Sequence, residues 1–193
     1  MSILPQRLPQ GVSDRLGRGL ARLGFTPNVL SVMGLVGNGA AATLAGLGEL
    51  VAAGAVFLLF SAFDMLDGAV ARATGKSTPY GAVLDAVLDR VSEALVLTGC
   101  AWHLAAHGAE WEVWSAFGAL SGSIMVSYIR ARAELAGRSL REGLLRRQER
   151  VVLLGLGLLT GYLGPVLLAM AVLAHLTALQ RFVMLARALR EAG

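Results

Sequence analysis

Four aspartates recur at helical intervals within otherwise apolar sequence: Asp64 and Asp67 lie three residues apart, Asp85 and Asp89 four. On a helix each of those steps returns to the same face, so two such helices turned toward each other gather the four carboxylates. Unpaired carboxylates in apolar surroundings cost several kcal/mol or lose their charge, so the group implies something positive at its centre. A hard divalent cation is the natural choice, Mg²⁺ first and Mn²⁺ second, and two ions about 4 Å apart can brace both the attacking and the leaving oxygen of a phosphoryl displacement. Arg72 adds a planar fork suited to phosphate. Gly68 and Gly81 carry no side chain and let a ligand or a neighbouring backbone come close. One intramembrane aspartate alone is as well explained by a helix-to-helix hydrogen bond; four of them with an arginine and two glycines read as a site.

Holding such a site requires helices in a membrane. The chain has 193 residues, 55% of them hydrophobic, and a mean hydropathy of +0.63. That is too apolar for an ordinary soluble domain and too short for several. The expected fold is all-α: six transmembrane helices over residues 26–193, preceded by an amphipathic interfacial segment over residues 1–25. In that segment Val12, Leu16, Leu20 and Leu23 recur at helical spacing beside Arg15, Arg18 and Arg22. Those arginines interrupt any signal-peptide core. Thr26 or Asn28 can cap the next helix, with Pro27 in its first turn.

The spans follow from where charge is missing. Phe25 to Gly48 is uncharged, and the next apolar run starts near Leu50 and meets Asp64 after fourteen residues. At about 1.5 Å per residue that run covers about 21 Å of a core roughly 30 Å thick, which puts the acids in its inner third. A turn at Gly75–Pro79, containing Lys76, returns the chain into a third span carrying Asp85 and Asp89 at similar depth. These two arms are expected to face each other across one cavity. A fourth span runs from Val113 to Tyr128, a basic loop containing Arg138, Arg141, Arg146, Arg147 and Arg150 follows, and Gly161–Pro165 divides the uncharged stretch from Val151 to Gln180 into two more.

Charge orients the whole. The basic residues fall on the side of the amino terminus, whereas the opposite loops carry Glu49, Glu110 and Glu112. The positive-inside rule makes the basic side cytoplasmic, with both termini and the active site facing the cytosol, in the plasma membrane. The net charge of +4 brackets apolar spans, which favours anionic lipid and phosphate over nucleic acid. Cys100 has no partner for an intramolecular disulfide and is expected to pack. His103 and His107 fall on the side opposite the acids and read as interfacial, in company with Trp102, Trp111 and Trp114.

The run Asp64-x-x-Asp67-Gly68-x-x-Ala71-Arg72, then eight residues, then Gly81-x-x-x-Asp85-x-x-x-Asp89, resembles the signature of the CDP-alcohol phosphotransferase family. The resemblance implies a polytopic membrane enzyme that exchanges the CMP of a CDP-linked lipid for the hydroxyl of an acceptor alcohol. It further implies metal ligation by Asp64, Asp67, Asp85 and Asp89, general-base catalysis by Asp89, and a CDP-lipid site lined by Pro27, Asn28, Gly68, Arg72 and Thr78. Three segments, around Arg130, Arg150 and Arg181, look like those with which phosphatidylinositol phosphate synthases of the family hold the acceptor's phosphate. The acceptor implied is inositol 1-phosphate, with sn-glycerol 3-phosphate second, because this chain reads Asp85-Ala86 and Asp89-Arg90 where the glycerophosphate branch commonly reads Asp-Pro and Asp-Lys. Relatives are homodimers, and the small residues from Gly37 to Ala42 suit close helix contact either between subunits or within one. The rival from another class is a divalent-cation transporter, which leaves Arg72 beside the acids unexplained.

Overall fold

The computed structural model describes residues 10–75, 78–140 and 142–191, with the backbone alone at 10, 12–14 and 64–65. These residues form seven helices: α1 (Gln10–Arg22), α2 (Pro27–Gly46), α3 (Leu50–Thr74), α4 (Pro79–Ala106), α5 (Glu110–Leu135), α6 (Arg147–Thr160) and α7 (Leu163–Arg190). The described residues contain no strand, so the fold is all-α. Lys76 and Arg141, expected in the turn and in the basic loop, lie outside the described residues, as do the side chains of Val12 and Asp64.

Local signals set the helix ends. The side chain of Thr26 caps α2 by accepting a hydrogen bond from the Val29 amide at 3.4 Å, and Thr78 caps α4 by accepting from the Gly81 amide at 3.0 Å. In both cases proline follows in the first turn, where its missing N–H is no loss. Of the two residues able to cap α2, Thr26 does so and Asn28 is left in the first turn. Gly75 and Gly161 close α3 and α6 in the left-handed conformation, at φ 65° and 77°.

Among the described residues three helices are long and apolar enough to cross a bilayer: α2, α3 and α7. Helix α4 is as long but carries Asp85, Asp89, Arg90 and Glu93, and α5 is rich in serine and glycine. Helix α6, at 14 residues, is about 21 Å long, short of a core roughly 30 Å thick.

Packing departs from a simple hairpin. Helices α3 and α4 barely meet; α2 runs between them and packs along both. Small residues make this possible. A Cβ at Gly99 of α4 would lie 2.2 Å from the Ala42 carbonyl oxygen, and one at Gly37 would enter the Phe60 ring of α3. The small-residue run is therefore used, in part, inside the chain. Helix α5 packs along α7, and α6 lies against α3 and α7. Leu97, Cys100, Leu154, Leu158, Leu167 and Met170 share one buried core, where Cys100 packs as expected.

Helix α1 lies against α3, with Gly17 so close that an added Cβ would be 2.5 Å from the Ala69 carbonyl oxygen. The N-terminal helix is thus fastened near the end of α3 that carries Asp67, while Leu16 and Leu23 stay exposed beside Arg15, Arg18 and Arg22.

Candidate active site

The N-termini of α2 and α4 and the C-terminal turns of α3 converge on a cavity of about 210 Å³. Asp67, Gly68 and Arg72 line it from α3, Pro27, Asn28 and Ser31 from α2, and Thr78, Gly81 and Asp85 from α4 and its cap. All five residues assigned to the CDP-lipid site by resemblance line this one cavity, together with Asp67 and Asp85, two of the three signature aspartates whose side chains are described. Asp67 and Asp85 reach it across the first turn of α2, because that helix separates the two arms.

Two kinds of electrostatics meet here. Two helix N-termini aim the positive ends of their dipoles at the cavity, a setting that favours anions such as phosphate, and Arg72 adds a full positive charge. Asp67 and Asp85 supply the opposite sign. Asp67 is 5% exposed, and the Ser31 hydroxyl donates to its Oδ2 at 2.7 Å, which fixes the carboxylate's orientation. Glycines keep the walls thin: a Cβ at Gly68 would lie 3.2 Å from Arg72 Nη1, and one at Gly81 would lie 3.4 Å from Asn28 Oδ1.

Asp89 lies one turn further along α4 and lines a second, smaller cavity of about 10 Å³ with Asn38, Ser92, Glu93, Arg147 and Arg150. Its Oδ1 is 2.5 Å from Arg147 Nη2. The acids on one face of α4 therefore divide between two neighbouring cavities, where a single shared one was expected. The side chain of Asp64 is outside the described residues.

The three arginines assigned to the acceptor differ in their engagements. Arg150 is 2% exposed and grips Glu93 twice, Nε to Oε1 at 2.7 Å and Nη2 to Oε2 at 3.1 Å. Its third nitrogen, Nη1, is buried without a hydrogen-bond partner. Arg181 is buried and donates to the carbonyls of Glu142 at 2.9 Å and Val126 at 3.0 Å, strapping α7 to α5 and to the connection before α6. That connection is held tightly: the Leu145 amide donates to the Thr177 hydroxyl at 3.0 Å, and Gly143, at φ 154°, passes so close that a Cβ would lie 2.6 Å from the Thr177 methyl. Arg130 is exposed and pairs with Glu134 at 2.9 Å, a surface pair of small energetic weight. Arg130, Arg146 and Arg150 all repel Arg181 and Glu142 offsets them in part, so four arginines gather here. Neither Arg130, Arg150 nor Arg181 lines the larger cavity.

Several participants went unassigned in the sequence. Glu93 lies four residues beyond Asp89, on the helix face that already carries Asp85, and extending the same step finds it. Arg147 lies one turn before Arg150 and follows by the same extension from α6. Ser31 and Asn38 carry no such signal, since polar residues in an apolar helix declare no partner.

The donor set around Asp67 and Asp85 fits a hard divalent cation: two carboxylates beside a polar cavity, with positions left for water and phosphate oxygens, is how Mg²⁺ is commonly held. Among the described residues no three His, Cys, Asp or Glu side chains cluster as a closed metal site. Because Ser31 orients Asp67, Ser31→Ala is expected to weaken Mn²⁺ affinity by about tenfold or more, as losing the hydrogen bond that steadies a metal ligand does. Titration with Mn²⁺ followed by electron paramagnetic resonance checks it.

Comparison with known proteins bears on this geometry. Residues 25–186 match the CDP-alcohol phosphatidyltransferase family. Over 144 residues the chain is 41% identical to the phosphatidylinositol phosphate synthase of Mycobacterium tuberculosis H37Rv, covering 74% of this chain and 66% of that one. The chain thus matches just under two thirds of the length of that relative. It is 38% identical over 170 residues to the archaetidylinositol phosphate synthase of Pyrococcus horikoshii, covering 87% of each. The crystal structure of the M. tuberculosis phosphatidylinositol phosphate synthase with CDP-DAG bound is similar at a TM-score of 0.83 and 34% identity, over 91% of this chain and 94% of that one. The structure of that synthase with manganese and citrate gives 0.81 at 35% identity, over 90% and 88%. Signature, cavity and family match coincide on the same helices, and the chain belongs to the CDP-alcohol phosphatidyltransferase family.

Proposed function

We propose that this protein transfers the phosphatidyl-type group of a CDP-linked lipid to inositol 1-phosphate and releases CMP. The observation that carries the reading is the larger cavity, where Asp67, Asp85 and Arg72 meet the N-termini of α2 and α4. Opposite charges lining one cavity suit a ligand that is itself a metal-bound pyrophosphate. The acceptor is supported by the relatives, whose names differ in the lipid but share inositol phosphate.

In this reading Asp64, Asp67, Asp85 and Asp89 hold two divalent ions, Mg²⁺ or the Mn²⁺ present in a relative's structure. When bound, the ions supply Lewis-acid charge to the pyrophosphate oxygens. Pro27, Asn28, Gly68 and Thr78 line the CDP-lipid site, and Arg72 offsets the charge that develops on departing CMP. Asp89 takes the proton of the acceptor hydroxyl as its oxygen attacks the lipid-side phosphorus. The patch of Arg130, Arg150 and Arg181 holds the acceptor's phosphate within reach. In this reading α2 to α7 are the six membrane spans, α6 at 14 residues being the short one, and this end of the bundle lies at the cytosolic face of the plasma membrane, with α1 in the interface and both termini in the cytosol. There a water-soluble nucleotide and an acyl chain can reach one cavity from different phases. A homodimer agrees with the family resemblance.

The test supplies purified protein with CDP-diacylglycerol, Mg²⁺ and one acceptor at a time, and measures CMP. Release with inositol 1-phosphate is expected; release only with sn-glycerol 3-phosphate reverses the acceptor, and release with neither removes the enzyme.

A further inference from the structure

Asn38 is the twelfth residue of α2, about 16 Å along the helix from its first turn and deep among apolar side chains. It is 1% exposed. Its neighbour Gly37 lies tightly against the Phe60 ring of α3, which pins the backbone at this point. The amide oxygen, Oδ1, is buried and has no hydrogen-bond partner among the described residues. Arg150 of α6 is 2% exposed, and its Nη1 is buried in the same condition. Both residues line the second cavity, of about 10 Å³.

A buried polar atom left unsatisfied is costly, and native interiors rarely leave one. Here an acceptor and a donor are orphaned beside one small cavity, so they call for a molecule that both donates and accepts, which a bare cation does not. The cavity has the space of one water molecule, which excludes a phosphate or a polyol. A water satisfies both atoms at once: it donates one hydrogen to Asn38 Oδ1 and accepts one from Arg150 Nη1. Its second hydrogen is left for the hydroxyl of Ser61 or Ser92, both of them buried residues of the same cavity wall. We propose that Asn38 and Arg150 hold a single internal water between α2 and α6, and that Asn38 acts through it as a positioning residue for Arg150.

Position matters at this arginine because its guanidinium is a rigid plane. Glu93 holds one edge, through Nε and Nη2, and that grip alone lets the plane tilt about the edge. The water ties the remaining corner, Nη1, to a second helix, so the plane is fixed from α4 and from α2. Nη1 carries two N–H groups. The water takes one, and the other remains for the acceptor's phosphate, to which the transfer reading assigns Arg150. The inference rests on that reading for its effect on the acceptor, and on the orphaned atoms alone for the water.

The experiment uses the full chain as wild type, Asn38→Leu and Asn38→Ala. A high-resolution crystal structure of the wild type is expected to show one water within hydrogen-bond distance of Asn38 Oδ1 and Arg150 Nη1; a dry cavity overturns the proposal. Leucine keeps the branched shape of asparagine and removes the acceptor. Asn38→Leu is therefore expected to raise the KM for inositol 1-phosphate by about tenfold, the weight of one hydrogen bond to a charged group, with kcat and the KM for CDP-diacylglycerol nearly unchanged. Asn38→Ala makes room for a second water in place of the amide, so its rise in KM is expected to be the smaller. A packing role predicts the reverse order, because leucine fills the site and alanine leaves a hole. An unchanged KM in Asn38→Leu, that reverse order, or an equal loss in all three kinetic constants overturns the positioning role. Should Asn38→Leu fail to fold, an Asn38→Ala structure with no water on Arg150 Nη1 and a wild-type KM overturns it instead. Wild-type protein that transfers nothing to inositol 1-phosphate overturns the transfer reading, and the crystal structure still reports on the water.

Discussion

Asp89→Asn is expected to lower turnover by about 10²–10⁴-fold, the usual contribution of a positioned general base, while the protein still binds CDP-lipid. The asparagine keeps the size of the side chain and an oxygen that can accept from Arg147, so the two rungs between α4 and α6 survive. What it loses is the ability to take a proton and the charge that draws a cation. Turnover measured as CMP release, with CDP-lipid binding measured on the same preparation, separates the two. Wild-type turnover would remove Asp89 from the mechanism. Loss of turnover and of lipid binding together would make it a folding residue.

Arg150→Ala is expected to destabilise the protein by about 3–5 kcal/mol, because it leaves Glu93 charged, largely buried and without its doubly bonded partner. This stability cost would mask any role of Arg150 toward the acceptor. The double variant Arg150→Met with Glu93→Leu separates them: apolar pairs that replace buried ion pairs are often neutral or stabilising, so its thermal midpoint is expected to return to or near that of wild type. If the buried Nη1 of Arg150 faces the acceptor's phosphate, the refolded double variant still needs much more inositol 1-phosphate. Recovery of both midpoint and acceptor requirement would confine Arg150 to holding α6 against α4.

Much of the site was legible because its chemistry is written in short repeats. Asp64-x-x-Asp67 and Asp85-x-x-x-Asp89 are local patterns, and Thr26-Pro27 and Thr78-Pro79 mark two helix starts by the capping rules of single turns. The five residues assigned to the CDP-lipid site by resemblance line one cavity because each sits at or near a helix end, where position along the chain nearly fixes position in space. The acceptor patch was less legible. Arg130, Arg150 and Arg181 come from three helices, and nothing in their spacing tells that Arg150 is gripped by Glu93 or that Arg181 is bonded to two carbonyls.

The sequence by itself determined that the protein is a bundle of apolar helices, and that the signature aspartates fall on one face of each helix that carries them. These are consequences of local periodicity and of the cost of burying charge in an apolar medium. Only the tertiary structure decided that α2 is inserted between α3 and α4, that Ser31 steadies Asp67, and that Asp89 faces Arg147 one turn away from the cavity lined by Asp85. The reason is steric and non-local: helix order in a bundle is set by where glycines such as Gly37 and Gly99 permit backbones to touch, and that depends on the surface of the other helix.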